Sequence, residues 1–165
     1  MAEFLLDSDL EIPAEGTIAR VLYDFGNEMQ TDLRASARRA DNYVNGNLAE
    51  TVEFEMKMFG GNVKFELRLA DYYDYVNKGV NGREKHRGSP YTMNKMPPPS
   101  KLAKWGVHKG IVKAGKEAKS FGFAVAKNME KNGSKGSHFY DKVVTEDRLK
   151  QLSRDLTKAA TKEIT

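Results

Sequence analysis

The chain contains no cysteine among its 165 residues. This absence excludes disulfide bonds, thiolate catalysis and cysteine-ligated zinc sites. Apolar residues nowhere form a run of the roughly 18 that a membrane-spanning helix needs, so we expect no association with a membrane. The 39% of hydrophobic residues suffices for a core, and the 30% of charged residues predicts a strongly charged surface. The length suits one domain of ordinary size or a small domain with a long appendage.

Charge is distributed unevenly along the chain. Residues 1–74 contain 15 Asp and Glu against 7 Lys and Arg, whereas residues 75–165 contain 8 against 20. The formal net charge of +4 therefore conceals an acidic first part and a basic second part. Such a division indicates either a polyanionic partner for the second part or an assembly in which unlike faces of neighbouring subunits meet.

Two periodic patterns dominate the first part of the chain. Apolar residues three and four apart between Ile18 and Ala37 predict an amphipathic helix over residues 14–41. Strict alternation on both sides of Gly60-Gly61 predicts a β-hairpin in which paired residue numbers sum to 121. The helix is the available cover for the apolar face of this hairpin. Because an isolated hairpin is marginally stable, we also expect a third strand or a partner subunit to extend the sheet.

The rest of the chain is predicted to be mainly helical. The expected elements are a short helix ended by Gly79, a long loop over 80–100, a helix capped by Ser100, a helix over 116–131, a flexible link over 134–137 and a last helix over 146–163. The predicted fold class is α+β, in which a long N-terminal helix packs on a small antiparallel sheet built on a hairpin and several C-terminal helices follow.

No pattern in the chain indicates catalysis. The segment from Gly110 to Lys116 fits the beginning of a phosphate-binding P-loop, but Glu117 stands where Ser or Thr would hold magnesium. The three histidines, at 86, 108 and 138, lack the spacing of metal ligands. We therefore predict that the protein is not an enzyme and has no catalytic residue, cofactor or metal site.

The long loop combines basic and aromatic residues, which can hold phosphates and stack on bases. Its candidate partner-facing or DNA-facing residues are Arg83, Lys85, Arg87 and Lys95. The alternative is that these and the lysines of the following helices merely solvate the surface. A small nonspecific nucleic-acid-binding protein is accordingly one functional hypothesis.

An ordered set of motifs carries a family resemblance. The motifs are Tyr72-x-x-Tyr75-Val76-x-x-Gly79, Leu102-x-x-Trp105, Lys109-Gly110, the small and aromatic residues of 120–129, and Gly133, Gly136 and Phe139. With the preceding helix and hairpin, this order resembles the tail-completion, or head–tail connector, ring proteins of tailed bacteriophages. The resemblance covers residues 18–144, and the composition is similar to that of crAss-like phages. The basic loop and the last helix depart from the family pattern.

The resemblance implies a structural virion protein, assembled in the host cytoplasm and located at the head–tail junction. It implies a homo-oligomeric ring, a dodecamer or hexamer, that joins the portal or connector to other tail or neck proteins and surrounds DNA without sequence preference. The domain organisation that follows is an extended arm at 1–13, a tail-completion-like α+β domain at 14–144 with its basic loop at 80–100, and a helical extension at 145–165. The candidate assembly anchors are Tyr72, Tyr75, Trp105 and Phe121, for which core packing is the alternative role.

Overall fold

A computed structural model describes residues 13–40, 48–59 and 62–164. Its elements are α1 (Ile18–Ala40), a 3₁₀ turn (Ala49–Thr51), β1 (Glu53–Phe59), β2 (Asn62–Arg68), α2 (Tyr73–Lys78), β3 (Gly79–Val80), α3 (Pro99–His108), α4 (Lys116–Asn132), β4 (Ser134–Lys135) and α5 (Glu146–Ile164). The predicted α+β class is confirmed. The predicted arm lies outside the described residues except for Pro13. Within the described ranges, no helix is long and apolar enough to cross a membrane.

The chain divides into two compact units. Unit 1 comprises the described parts of residues 1–32, 53–68 and 144–165, and unit 2 comprises those of residues 33–52 and 69–143. Helix α1 contributes its first part to unit 1 and its last part to unit 2.

Unit 1 is built on the predicted hairpin. The pairs Glu53–Arg68 and Phe54–Leu67 confirm the register in which residue numbers sum to 121. Helix α1 covers the sheet through aromatic contacts, with the ring of Tyr23 6.3 Å from that of Phe54 between centroids. Gly26 permits this approach, since a Cβ atom there would overlap the Phe54 ring.

The hairpin sheet has only two strands within the described part of the chain. Of the two expected extensions, a third strand is absent from these residues, because β3 and β4 pair with each other in a separate sheet. Extension by a partner subunit stays a prediction. On its outer face, Arg68 contacts both Glu55 (2.6 Å) and Glu66 (3.1 Å). This guanidinium offsets the repulsion between the two carboxylates that the register places opposite each other. Lys64 and Arg68 together hold the pKa of Glu66 below its ordinary value.

Helix α5 joins α1 in unit 1. The backbone N–H of Ile18 donates to Glu163 Oε1 at 2.9 Å, which satisfies a free donor at the start of α1. Near the start of α5, Arg148 binds Asp32 of α1 at 2.7 Å. Ala159, which lies between Arg148 and Glu163 in the sequence, is buried. Helix α5 therefore packs through an apolar residue as well as through polar contacts.

Unit 2 contains a helical hairpin of α3 and α4. Three small buried residues of α4, four positions apart, face α3: Ala118, Gly122 and Ala126. A Cβ atom on Gly122 would lie 2.8 Å from the backbone nitrogen of Ala103 and would overlap a carbonyl oxygen of α3. The helices are therefore in backbone contact, which only a residue without a side chain allows.

Two sequence predictions in unit 2 are wrong. Ser100 does not cap α3, because the helix begins at Pro99, whose missing N–H costs nothing in a first turn. The expected flexible link over 134–137 instead begins with β4, which pairs antiparallel with β3. The predicted ends of α2 and α4 are confirmed, since Gly79 and Gly133 follow them with φ of 72° and 66°.

We expect the substitution Gly122→Ala to lower the free energy of unfolding by about 1–3 kcal/mol, because overpacking against backbone outweighs the gain in helix propensity. The measurement is urea unfolding followed by circular dichroism. Ser120→Ala, on the exposed side of the same helix, is the control and should change stability by less than about 0.5 kcal/mol. A Gly122→Ala protein as stable as the wild type would contradict the close contact.

Candidate functional site

A buried asparagine near the end of α2 organises the part of unit 2 around the predicted tyrosine anchors. Asn77 is 1% exposed, and its side-chain oxygen accepts the backbone N–H of Tyr140 at 3.0 Å. Its side-chain nitrogen donates to Asp141 at 2.9 Å, and its carbonyl accepts the N–H of His138 at 2.9 Å. One residue thereby holds the turn at 138–141 against α2.

A second buried asparagine orders the long loop. Asn81 accepts the backbone N–H of Arg87 at 2.6 Å and donates to the carbonyl of Ser89 at 2.6 Å. Its main chain also pairs with Tyr91 and Met93, both at 2.8 Å. The loop over 80–100 is therefore folded around Asn81 rather than lacking regular contacts. Neither asparagine was predicted as a key residue, and the only sequence signal is that each lies close to a glycine.

The predicted anchor Tyr75 takes part in a polar and aromatic cluster. Its ring is half-exposed and lies 4.2 Å from that of Tyr91 between centroids. The hydroxyl of Tyr91 donates to Asp74 at 2.5 Å, and Lys78 binds the same carboxylate at 2.9 Å. Both contacts lower the pKa of Asp74, and the hydrogen bond from Tyr91 has the larger effect. The hydrogen bond between Tyr91 and Asp74 also raises the pKa of Tyr91. Tyr72, the other predicted tyrosine anchor, is partly buried directly before α2.

Two of the four basic loop residues bind the end of α4. Arg83 contacts Glu130 at 3.3 Å and donates to the carbonyl of Asn94 at 3.0 Å. Arg87 donates to the carbonyl of Asn132, the last residue of α4, at 2.6 Å. Cations are favoured there because the last carbonyls of a helix lack partners within it. Lys85 and Lys95 are exposed.

The other two predicted anchors lie between α3 and α4. The rings of Trp105 and Phe121 stack with centroids 6.1 Å apart and planes 18° from parallel. Phe121 also lies against Gly106, whose missing side chain makes room for the ring. Both side chains are partly buried there, and their role as assembly anchors stays a prediction.

The outward side of the helical hairpin is lined with lysines. On α4, Lys116, Lys119, Phe123 and Lys127 are all exposed and recur three and four residues apart, which places them on one face. Phe123 is 53% exposed. The other exposed lysines of this region are Lys101 and Lys104 on α3 and Lys109 and Lys113 in the connection.

The described residues form no cluster of metal-ligating side chains. Among them, no three His, Asp or Glu side chains lie together as metal ligands would. The P-loop-like segment connects α3 to the first turn of α4, whereas a P-loop follows a β-strand.

No protein-family model matches the chain, and neither a curated protein nor a solved structure matches it. Its function has to be inferred from its own residues and their geometry.

We expect Asn77→Ala to lower the free energy of unfolding by about 2–3 kcal/mol, because buried backbone N–H groups lose their acceptor. Amide hydrogen exchange should show the largest loss of protection at residues 138–141. The control Asn94→Ala, at an exposed side chain, should cost less than about 0.5 kcal/mol. Unchanged protection of the turn would refute the central role of Asn77.

The Tyr91–Asp74 contact predicts a pH dependence. Because the pKa of Asp74 is lowered in the folded protein, its contribution to stability is present at neutral pH and is lost as pH falls through that lowered pKa. Tyr91→Phe removes the donor, so the pKa of Asp74 should rise and stability should depend less on acid pH. A carboxyl NMR titration of Asp74 measures this. Tyr75→Phe is the control, and an unshifted Asp74 in Tyr91→Phe would be the contrary result.

Proposed function

We propose that the protein is a structural subunit of a ring at the head–tail junction of a tailed bacteriophage. In this role it joins the portal or connector to the tail around the DNA channel. The observation that carries the proposal is that motifs far apart in the sequence, from Tyr72 to Phe139, belong to one compact unit.

The first and last of these motifs are in direct contact. The N–H of Ser137 donates to the carbonyl of Val76 at 3.0 Å, and the rings of Tyr73 and Tyr140 lie 5.5 Å apart. A Cβ atom on Gly136 would lie 2.5 Å from the carbonyl oxygen of Asn77. Chance similarities scattered along a chain need not converge in space, so this convergence supports treating the motifs as one inherited unit.

The charge distribution also suits a ring subunit. The described residues of unit 2 contain 18 Lys and Arg against 7 Asp and Glu, whereas those of unit 1 contain 9 against 11. Subunits of a ring meet through two different faces. Faces of unlike charge attract the correct neighbour, and like charge disfavours the wrong pairing.

The test is the mass and shape of the purified protein. We expect light scattering and negative-stain images to show rings of six or twelve copies, alone or with purified portal protein. Raising the salt from about 0.1 to 1 M should shift the population towards smaller species, because the screening length falls from about 10 to 3 Å. Monomers only, alone and with portal and tail proteins, would overturn the proposal.

Tyr75 is the predicted anchor most open to a neighbour, since Trp105 and Phe121 lie between helices. Tyr75→Ala should therefore reduce the fraction of rings in the same experiment. Tyr75→Phe keeps the aromatic ring and should assemble as the wild type does. Equal assembly of both variants would place the ring interface elsewhere.

A further inference from the structure

Seven exposed lysines of the helical hairpin have no acidic partner among the residues that the structure describes. They are Lys101, Lys104, Lys109, Lys113, Lys116, Lys119 and Lys127, and none forms a salt bridge with any residue that the structure describes. Residues 99–135 contain nine lysines and two glutamates. One of these, Glu130, is bound by Arg83, which leaves Glu117 as the one acidic side chain of this segment without an ion pair in the described ranges.

Three of the four lysines of α4 lie along one exposed face, and the fourth, Lys131, is paired with Glu84. Lys127 lies eleven residues after Lys116, which is a rise of about 16.5 Å at 1.5 Å per residue. A DNA strand presents a phosphate about every 3.4 Å along the duplex axis. The row is therefore long enough to meet several phosphates of one strand at the same time.

Nucleic acid fits this surface better than an acidic protein does. The row consists of three lysines and one exposed phenylalanine, so its charges suit a regular line of negative charge. Lysine binds phosphate as a point charge without strict geometry, which suits a ligand that is held without regard to its sequence.

We propose that the exposed face of α4, with Lys116, Lys119 and Lys127, is a sequence-nonspecific contact surface for the phosphate backbone of DNA. Lysines of α3 and of the α3–α4 connection extend the same positive field. The basic loop contributes less, because Arg83 and Arg87 are engaged at the end of α4.

The test uses fluorescence anisotropy with a labelled duplex of about 24 base pairs, titrated with the full-length protein from about 0.05 to 0.3 M salt. The triple variant K116Q/K119Q/K127Q should bind about 100-fold more weakly at 0.15 M salt, since each lost phosphate contact lowers the salt slope by about 0.9. The salt slope should therefore become shallower by between about 2 and 3.

A charge-matched control lies on α5. The variant K150Q/K158Q/K162Q removes the same charge from exposed positions outside the proposed surface. It should change the affinity less than about twofold, because Lys150 and Lys158 are already paired with Glu146 and Asp155. An equal loss in both triple variants would mean that net charge alone attracts DNA, and it would overturn the assignment. Circular dichroism of both variants establishes that the helices remain folded.

Two further measurements distinguish other occupants. Phe123→Ala should leave the salt slope unchanged, and a loss of binding in this variant alone would indicate an apolar docking site instead. Poly-glutamate should compete only at much higher charge concentration than unlabelled duplex. Equal competition would indicate an acidic protein partner and contradict the proposal.

This inference does not depend on ring assembly, since a single subunit already presents the lysine face. Light scattering on the same samples separates the two proposals. Rings that fail to bind the duplex would overturn the DNA surface alone. A protein that binds the duplex through α4 but stays monomeric, alone and with portal and tail proteins, would overturn the ring alone.

Discussion

The fold of unit 2 depends on two buried amide side chains four residues apart. The side-chain oxygen of Asn77 accepts a backbone N–H of the turn at 138–141, and that of Asn81 accepts backbone N–H groups of the loop at 87–89. Between them, β3 pairs with β4 in a sheet so short that its backbone pairing alone could hold little. Buried hydrogen-bond networks that are fully satisfied select one arrangement of the chain. The segment from 77 to 81 therefore fixes the positions of the turn at 138–141 and of the basic loop within unit 2.

This arrangement divides the basic residues into two kinds. Arg83 and Arg87 use directed donors to satisfy groups at the end of α4, which is the task for which the guanidinium geometry is suited. The lysines on the outer face of α4 have no such task within the described chain. Exposed charges contribute little to folding, so stability does not explain their concentration on one helical hairpin. The proposed contact with the phosphate backbone of DNA would explain it.

How far the sequence predicts the structure depends on the range of the interactions involved. Alternation around Gly60-Gly61 sufficed to predict the exact hairpin register, because pairing there is local and one face must be buried. Glycines after α2 and α4 predicted where those helices end. The pairing of β3 with β4 joins residues more than fifty positions apart and involves two residues in each strand. Strands this short show no alternation of apolar and polar residues, so the sequence does not predict the pairing. The role of Asn77 escaped prediction for a similar reason, since its side-chain partners lie more than sixty positions away. The partners of Asn81 are close in sequence, but they lie in a loop without periodicity, so no repeating pattern indicates them.

The same reasoning bears on the site residues. Conspicuous aromatics such as Trp105 and Phe121 were candidates for assembly, yet they are engaged between α3 and α4. Phe123, two positions further on, is the exposed aromatic of that helix, because the four-residue spacing of Ala118, Gly122 and Ala126 turns it away from α3. With its inner side against α3 and its last turn bound by two arginines, α4 exposes its opposite side. That side carries Lys116, Lys119 and Lys127, which have no acidic partner among the described residues, so the packing of α4 directs these charges away from α3.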